Sequence, residues 1–417
     1  MGAFTDTFAP LQNRNLRIYF SGQAISLIGT WMQVTAQSWV VWRLTQSEAA
    51  LGTVGMLATV PFLLLGPIAG VWADRYDRRK ILVYTQSVAM VLAFILAFLV
   101  QTNLVQIWHV YVLALALGCV NALDMPSQQA FIGDMTGMDM VRKAVVVNAM
   151  IVQISRVFGP TLAGLVVKAV GEATAFWING LSFLAVIASL LAVRTMTQAR
   201  RVGGPTGGSF AEGVRFVFGQ PRIFDLMVFT GLVTLFGFSN SQVLPAFADE
   251  TLHGDAGLYG LLMGASGVGA LISVLFLVPP AQRMKRTGQM LSAAVAFAGA
   301  AFTLFSFTKV PALALPAFFL SGISIPMVLS TNNGLVQVLA PHHMRARLLT
   351  LYLMFSFGLQ PIANLWVGWM AHALGAPMAI RINGLSMLVI ALLMLLRPGL
   401  RTWEPSAAVA AKPQGGA

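Results

Sequence analysis

Twelve apolar runs divide this chain, each long enough to cross a hydrocarbon layer about 30 Å thick. A backbone in lipid has no water to bond, so a run of this kind satisfies its N–H and C=O groups most simply as a helix. The spacing predicts the first helix over 17–42, the fourth over 106–133, the fifth over 143–168, the seventh over 223–247 and the twelfth over 377–396. With 57% hydrophobic and 10% charged residues in 417, no soluble domain of this size has such a composition. The expected fold class is an all-α membrane protein with twelve transmembrane helices.

The few charges are informative because they fall between the runs. Lys and Arg number 26 against 14 Asp and Glu, a net charge of +12. Arg14, Arg17, Arg75, Arg78, Arg79, Lys80, Lys143, Arg200, Arg201, Arg283 and most other bases lie on one side of the predicted layer, and only Arg43, Lys168, Lys309 and Arg381 on the other. The base-rich side is expected to be cytoplasmic, with both termini on it. Topology and anionic lipid account for this charge, so the lipid bilayer is an expected partner and nucleic acid is not. Residues 1–16 are polar and lack an apolar core of signal-peptide type, so the first helix is expected to be retained and to act as the targeting signal. A lone Cys119 excludes an intrachain disulfide and a multi-cysteine metal site. The His342-His343 pair sits in a basic loop, away from carboxylates. There is no Walker lysine loop and no His-Glu-x-x-His, so neither an enzyme nor a cofactor is expected, and an ion gradient is the remaining energy source.

Two halves are visible in the sequence. Ile178-Asn179-Gly180-Leu181-Ser182 in the sixth run recurs as Ile382-Asn383-Gly384-Leu385-Ser386 in the twelfth. A similar shift places Gly52 on Gly260, Ala73-Asp74-Arg75 on Ala281-Gln282-Arg283, and Arg78 on Arg286. The predicted division is a six-helix bundle over 1–194, a cytoplasmic linker over 195–222, a second six-helix bundle over 223–397 and a disordered tail over 398–417. The linker holds Gly203-Gly204-Pro205-Thr206-Gly207-Gly208-Ser209, a flexible composition, followed by a short amphipathic helix over 211–219. Parallel repeats imply an axis along the membrane normal and a central cavity.

The densest charge cluster joins the second and third runs. Two acids and four bases stand within Asp74-Arg75-Tyr76-Asp77-Arg78-Arg79-Lys80. Gly66 and Gly70 precede it one helical turn apart, a spacing that lets a neighbouring helix approach closely. Deeper in the layer, Asp124 is the most deeply placed carboxylate, in the fourth run, and Arg156 the deep base of the fifth. Charges at such depth face partners or water. Two readings stand side by side: Asp124 takes part in proton coupling, or Asp124 and Arg156 form a permanent buried pair.

Polar side chains also recur at helical spacing. Ser26, Thr30, Gln33 and Gln37 fall on one face of the first helix, with Trp31 nearby, and that face is expected to line the cavity rather than meet lipid. Asn121 adds to it from the fourth helix, Thr234 and Asn240 from the seventh, Asn332 from the tenth, and Gln360 and Asn364 from the eleventh. The alternative for this set is hydrogen bonding between helices without substrate contact. Gly260, Gly264 and Gly267 form a smooth face on the eighth helix suited to helix packing. Gly159-Pro160 is expected to bend the fifth.

Taken together these residues resemble the major facilitator superfamily. Gly70, Asp74, Arg75, Arg78 and Arg79 match its loop signature, with Asp77 where a glycine is usual. Ser155-Arg156-Val157-Phe158-Gly159-Pro160-Thr161-Leu162-Ala163-Gly164 is similar to its antiporter signature, with Gly159, Pro160 and Gly164 in place. Gly29-Thr30-Trp31-Met32-Gln33 and Asp124-Met125-Pro126-Ser127-Gln128-Gln129-Ala130 resemble the enterobactin-exporter and macrolide-efflux branch. The resemblance implies a major facilitator fold and a loop that gates alternating access through Asp74 and Arg75. It also implies a central site lined by helices 1, 4, 7 and 10, and a bacterial inner-membrane exporter acting as a monomer. Its substrate would be an amphiphilic small molecule of drug, macrolide or siderophore type, moved by proton antiport. The other functions open to such a sequence are an importer or lipid transporter of the same fold, a passive channel, and a non-transporting sensor or scaffold.

Overall fold

The computed structural model describes residues 9–136, 138–193, 210–278, 287–341 and 344–397. Several expectations lie outside the described residues: the glycine-rich linker 203–209, the tail 398–417, the repeat segment 281–286 and His342-His343.

The described chain is helical. In order come α1 (Arg14–Thr45), α2 (Glu48–Arg75), α3 (Arg78–Gln101), α4 (Ile107–Met135), α5 (Met138–Val170) and α6 (Glu172–Ala192). A short helix, Phe210–Gly219, follows, as the amphipathic pattern predicts. Then come α7 (Pro221–Thr251), α8 (Ala256–Leu277), α9 (Thr287–Phe307), α10 (Pro311–Leu339), α11 (Arg345–Phe357 continuing as Gln360–Leu374) and α12 (Ala376–Leu396). α7 is not uniform: it tightens to a 3₁₀ segment at Phe238–Val243 and widens to a π turn at Phe247–Thr251. α5 continues through Pro160 and α10 through Pro316 and Pro326 without interruption.

Eleven of these helices, among the described residues, are long and apolar enough to cross a membrane. The twelfth long helix, α1, has 32 residues but falls short in apolarity. Its own polar stripe explains this, since Gln23, Gln33 and Gln37 are buried inside the protein and never meet lipid.

Short caps set the turns. Asp77 accepts from the backbone N–H groups of Arg79 at 3.0 Å and Lys80 at 3.3 Å, so the acid standing where a glycine is usual serves as the N-cap of α3. Ser47 caps α2 and Asn13 caps α1 in the same way.

Contacts divide the chain into two units, Met1–Val202 with Leu244–Gly267, and Gly203–Val243 with Val268–Ala417. In the first, α1 packs on α5 and α6, α3 on α6, and α2 on α4. In the second, α9 packs on α10 and α12, and α7 on α12. The repeated Ile-Asn-Gly-Leu-Ser segments occupy matching places. A methyl group at Gly180 would collide with the Phe94 ring of α3, and one at Gly384 would lie 2.9 Å from the Gly299 oxygen of α9. Both glycines are needed because each sits where two helices touch. In the second unit, the short helix Phe210–Gly219 is fixed to α11 by Arg347, which donates to Glu212 at 2.8 Å.

Candidate translocation site

The signature turn between α2 and α3 ties helix ends of the first unit together. Arg78 Nε donates to the Ala73 carbonyl at 3.1 Å and its Nη1 to Asp134 at 2.5 Å, joining the ends of α2 and α4. Arg79 Nη2 donates to the Leu191 carbonyl at 2.5 Å, at the end of α6. Arg75 is exposed, and the side chain of Asp74 lies outside the described residues. Asp134 was not singled out by sequence reasoning, although an acid in the last turn of a helix near a basic turn is a usable signal.

The close approach expected at Gly66 and Gly70 is not found. A methyl group at either would meet nothing within 4 Å among the described residues. α4 reaches α2 at Gly118 instead, where a methyl group would sit 2.7 Å from the Ala58 oxygen. The small-residue spacing was therefore read on the right helix but on a face that is open here.

Asp124 lies roughly 16 Å along α4 from its end at Met135, and is 8% exposed. Thr85 Oγ1 donates to its Oδ1 at 2.6 Å and Gln86 Nε2 to the same oxygen at 3.0 Å. Both donors come from α3. Oδ2 has no hydrogen-bond partner among the described residues, and no cation lies within ion-pair distance of either oxygen. Asp124 and Arg156 are thus not brought together, which corrects the reading of a permanent ion pair. Arg156 instead lies over the Trp31 ring of α1, 5.1 Å from its centroid, a contact that offsets part of the cost of an inward-lying base.

The antiporter-like stretch explains how Arg156 gets there. A methyl group at Gly159 would lie 2.9 Å from the Ile28 oxygen and 3.2 Å from the Met32 nitrogen, so α5 presses directly on α1 one turn beyond Arg156. On the same helix Gly164 faces α8: a methyl group there would be 2.7 Å from the Ala256 oxygen and 3.0 Å from the Gly260 Cα. Gly260 would meet the Pro160 oxygen at 2.5 Å, and Gly267 the Arg156 oxygen at 2.8 Å. The smooth face predicted on α8 packs on α5, with Pro160 in the seam.

Leu244–Gly267 is held in the first unit by more than glycines. Trp42 Nε1 donates to Asp249 at 2.8 Å, Lys168 pairs with Asp255 at 3.0 Å, and Trp39 stacks on Tyr259 at 6.3 Å. The hydrogen bond from Lys168, helped by the Leu258 N–H, holds the Asp255 carboxyl below its ordinary range despite some desolvation.

The polar stripe of α1 is turned inward. Ser26, Gln33 and Gln37 are buried and Thr30 is half-buried, bonded to the Ser26 carbonyl at 2.9 Å. Gln33 accepts from Asn179 Nδ2 at 2.6 Å. In the second unit Asn240, fully buried in the 3₁₀ segment of α7, accepts from Asn383 Nδ2 at 2.7 Å. Asn332 donates to Thr230 at 3.0 Å. Asn332 Oδ1 and Thr234 Oγ1 are buried with no partner among the described residues. Asn364 is buried, Gln360 half-buried and Asn121 exposed.

Among the described residues eleven helices are long and apolar enough to cross a membrane, so the chain is a multi-pass membrane protein, and the family it matches makes its class a transporter, not an enzyme. More narrowly, the chain belongs to the transmembrane secretion effector family of the major facilitator superfamily, which it matches over residues 5–414. It is 23% identical over 394 residues to the multidrug efflux pump Tap of Mycolicibacterium fortuitum, covering 89% of this chain and 93% of that one. It is 24% identical over 266 residues to the staphyloferrin A transporter of Staphylococcus aureus, covering 63% of this chain and 66% of that protein, just under two thirds of its length. Two solved structures share the fold: the nucleoside transporter NupG, with a TM-score of 0.72 at 13% identity over 92% of this chain and 98% of that one, and a POT family transporter, with 0.74 at 12% over 92% and 96%.

Proposed function

We propose that this protein exports an amphiphilic small molecule across the bacterial inner membrane by proton antiport, working by alternating access with both termini in the cytoplasm. Asp124 carries this reading. It is a carboxylate buried in a membrane helix with one oxygen fixed by Thr85 and Gln86, and among the described residues the other oxygen has no partner and the group no counter-cation. A bound proton is the counter-charge left to it, and gaining or losing that proton changes what the helix pair α3–α4 can bond.

Two further observations support the reading. The tips of α7 and α8 are clasped in the first unit by Trp42, Lys168 and the glycine seam, contacts of the kind that must part when the site opens on the side of the α7–α8 turn. Each unit also holds buried polar groups of its own, on α1 in the first and on α7 and α10 in the second, where Asn332 Oδ1 and Thr234 Oγ1 have no partner among the described residues and are free to bond a substrate. Export of an apolar-bodied substrate fits the relative named as a multidrug efflux pump; the siderophore class is the second candidate, from the relative named as a staphyloferrin A transporter. The domain division at 194 and 223, and action as a monomer, belong to the same proposal.

Uptake into everted vesicles tests it. Energised vesicles are offered a panel of cationic dyes, macrolides and siderophores with and without an uncoupler. Accumulation of a panel member that collapses with the gradient is expected. Accumulation indifferent to the uncoupler contradicts antiport, and binding without accumulation contradicts transport.

A further inference from the structure

A groove of about 490 Å³ opens between the start of α3 and the end of α6, apart from the buried polar residues described above. Asp77, Arg79 and Lys80 line it, and so do Val83, Tyr84 and Leu191. The order along α3 is the useful fact. Charge comes first, and the apolar residues and Ser87 follow over about 10 Å of helix.

We propose that this groove binds one anionic glycerophospholipid from the leaflet that the α2–α3 turn meets. The phosphate lies at Arg79 and Lys80, and an acyl chain runs along Val83, Tyr84 and Leu191. The bases outnumber the acid two to one. The acid is already engaged, because Asp77 Oδ1 caps the backbone of α3. The Arg79 guanidinium is anchored across the groove by its bond to the Leu191 carbonyl, and its other N–H groups have no partner among the described residues. Lys80 is exposed. Tyr84, 69% exposed, places an aromatic ring with a hydroxyl where headgroup gives way to hydrocarbon, and Leu191 is 59% exposed beside it. A free phosphate would use the two bases and leave the apolar length of the groove empty. A lipid uses both ends, and basic grooves between membrane helices suit acidic headgroups.

The test is a lipid titration of the purified full-length protein in detergent, read by native mass spectrometry and by melting temperature. Dioleoyl phosphatidylglycerol, dioleoyl phosphatidylcholine and inorganic phosphate are compared. Phosphatidylglycerol is expected to be retained over phosphatidylcholine. Lys80→Gln should weaken it about fivefold, the worth of one base near a membrane surface. Ser87→Trp, which fills the groove without altering charge, should weaken it too, with Leu191→Gln as a second apolar probe if the tryptophan variant does not fold. Arg17→Gln, at an exposed base of α1, should leave binding unchanged. Equal retention of the two lipids, equal loss in Arg17→Gln, or displacement of the lipid by millimolar phosphate would each overturn the proposal.

Discussion

Asn179 of α6 donates to Gln33 of α1 at 2.6 Å, and its repeat counterpart Asn383 of α12 donates to Asn240 of α7 at 2.7 Å. One hydrogen bond thus occurs twice, once between α6 and α1 and once between α12 and α7. The physical consequence is asymmetric. Asn179→Leu leaves the Gln33 oxygen buried without a donor, at a cost of about 1–3 kcal/mol, whereas removing both polar groups restores a satisfied interior. Thermal melting in detergent should show the single variant clearly destabilised and Asn179→Leu/Gln33→Leu closer to wild type. A double variant less stable than the single one would refute this.

Glycines at contact and glycines in the open should respond differently. Gly260→Ala drives a methyl group against the Pro160 oxygen and should cost about 1–3 kcal/mol by prising α8 from α5. Gly70→Ala meets no atom of the described residues and should be neutral to about 1 kcal/mol stabilising, since alanine is the better helix former. Melting temperatures of the two variants check this. Loss of transport in a stable Gly70→Ala protein would show that the open face of α2 closes during the cycle.

Asp255 supplies a pH dependence. Its carboxyl is held below its unfolded value near 3.9 by Lys168. A depressed value adds stability above about pH 4, and that stability is lost as pH falls through the folded value. The pair is exposed, so the effect is small. The melting difference between wild type and Asp255→Asn should be present at pH 7 and shrink as pH falls below about 4. A difference that grows on acidification would contradict the assignment.

The long helices were legible because lipid forces apolar runs of fixed length into one conformation. The glycine face of α8 was legible too, because Gly260, Gly264 and Gly267 keep a helical period. The partners of Asp124 were not. Thr85 and Gln86 are ordinary polar residues in an apolar run, and only the depth they share with Asp124 in a neighbouring helix marks them. Arg156 misled for a related reason: charge complementarity suggested Asp124, but the close contact at Gly159 sets it over Trp31. The irregular turns of α7 around Asn240 lie between Gly237 and Pro245, two residues that weaken a helix but are easily passed over inside an apolar run.

The central claim is that Asp124 carries the proton exchanged for substrate. Everted vesicles loaded with a pH-sensitive dye and acidified inside test it by the proton efflux that follows addition of a transported substrate. Wild type should show a substrate-dependent rise in internal pH, and Asp124→Asn, folded and inserted to the same level, should show none. The same rise in Asp124→Asn as in wild type would contradict the account.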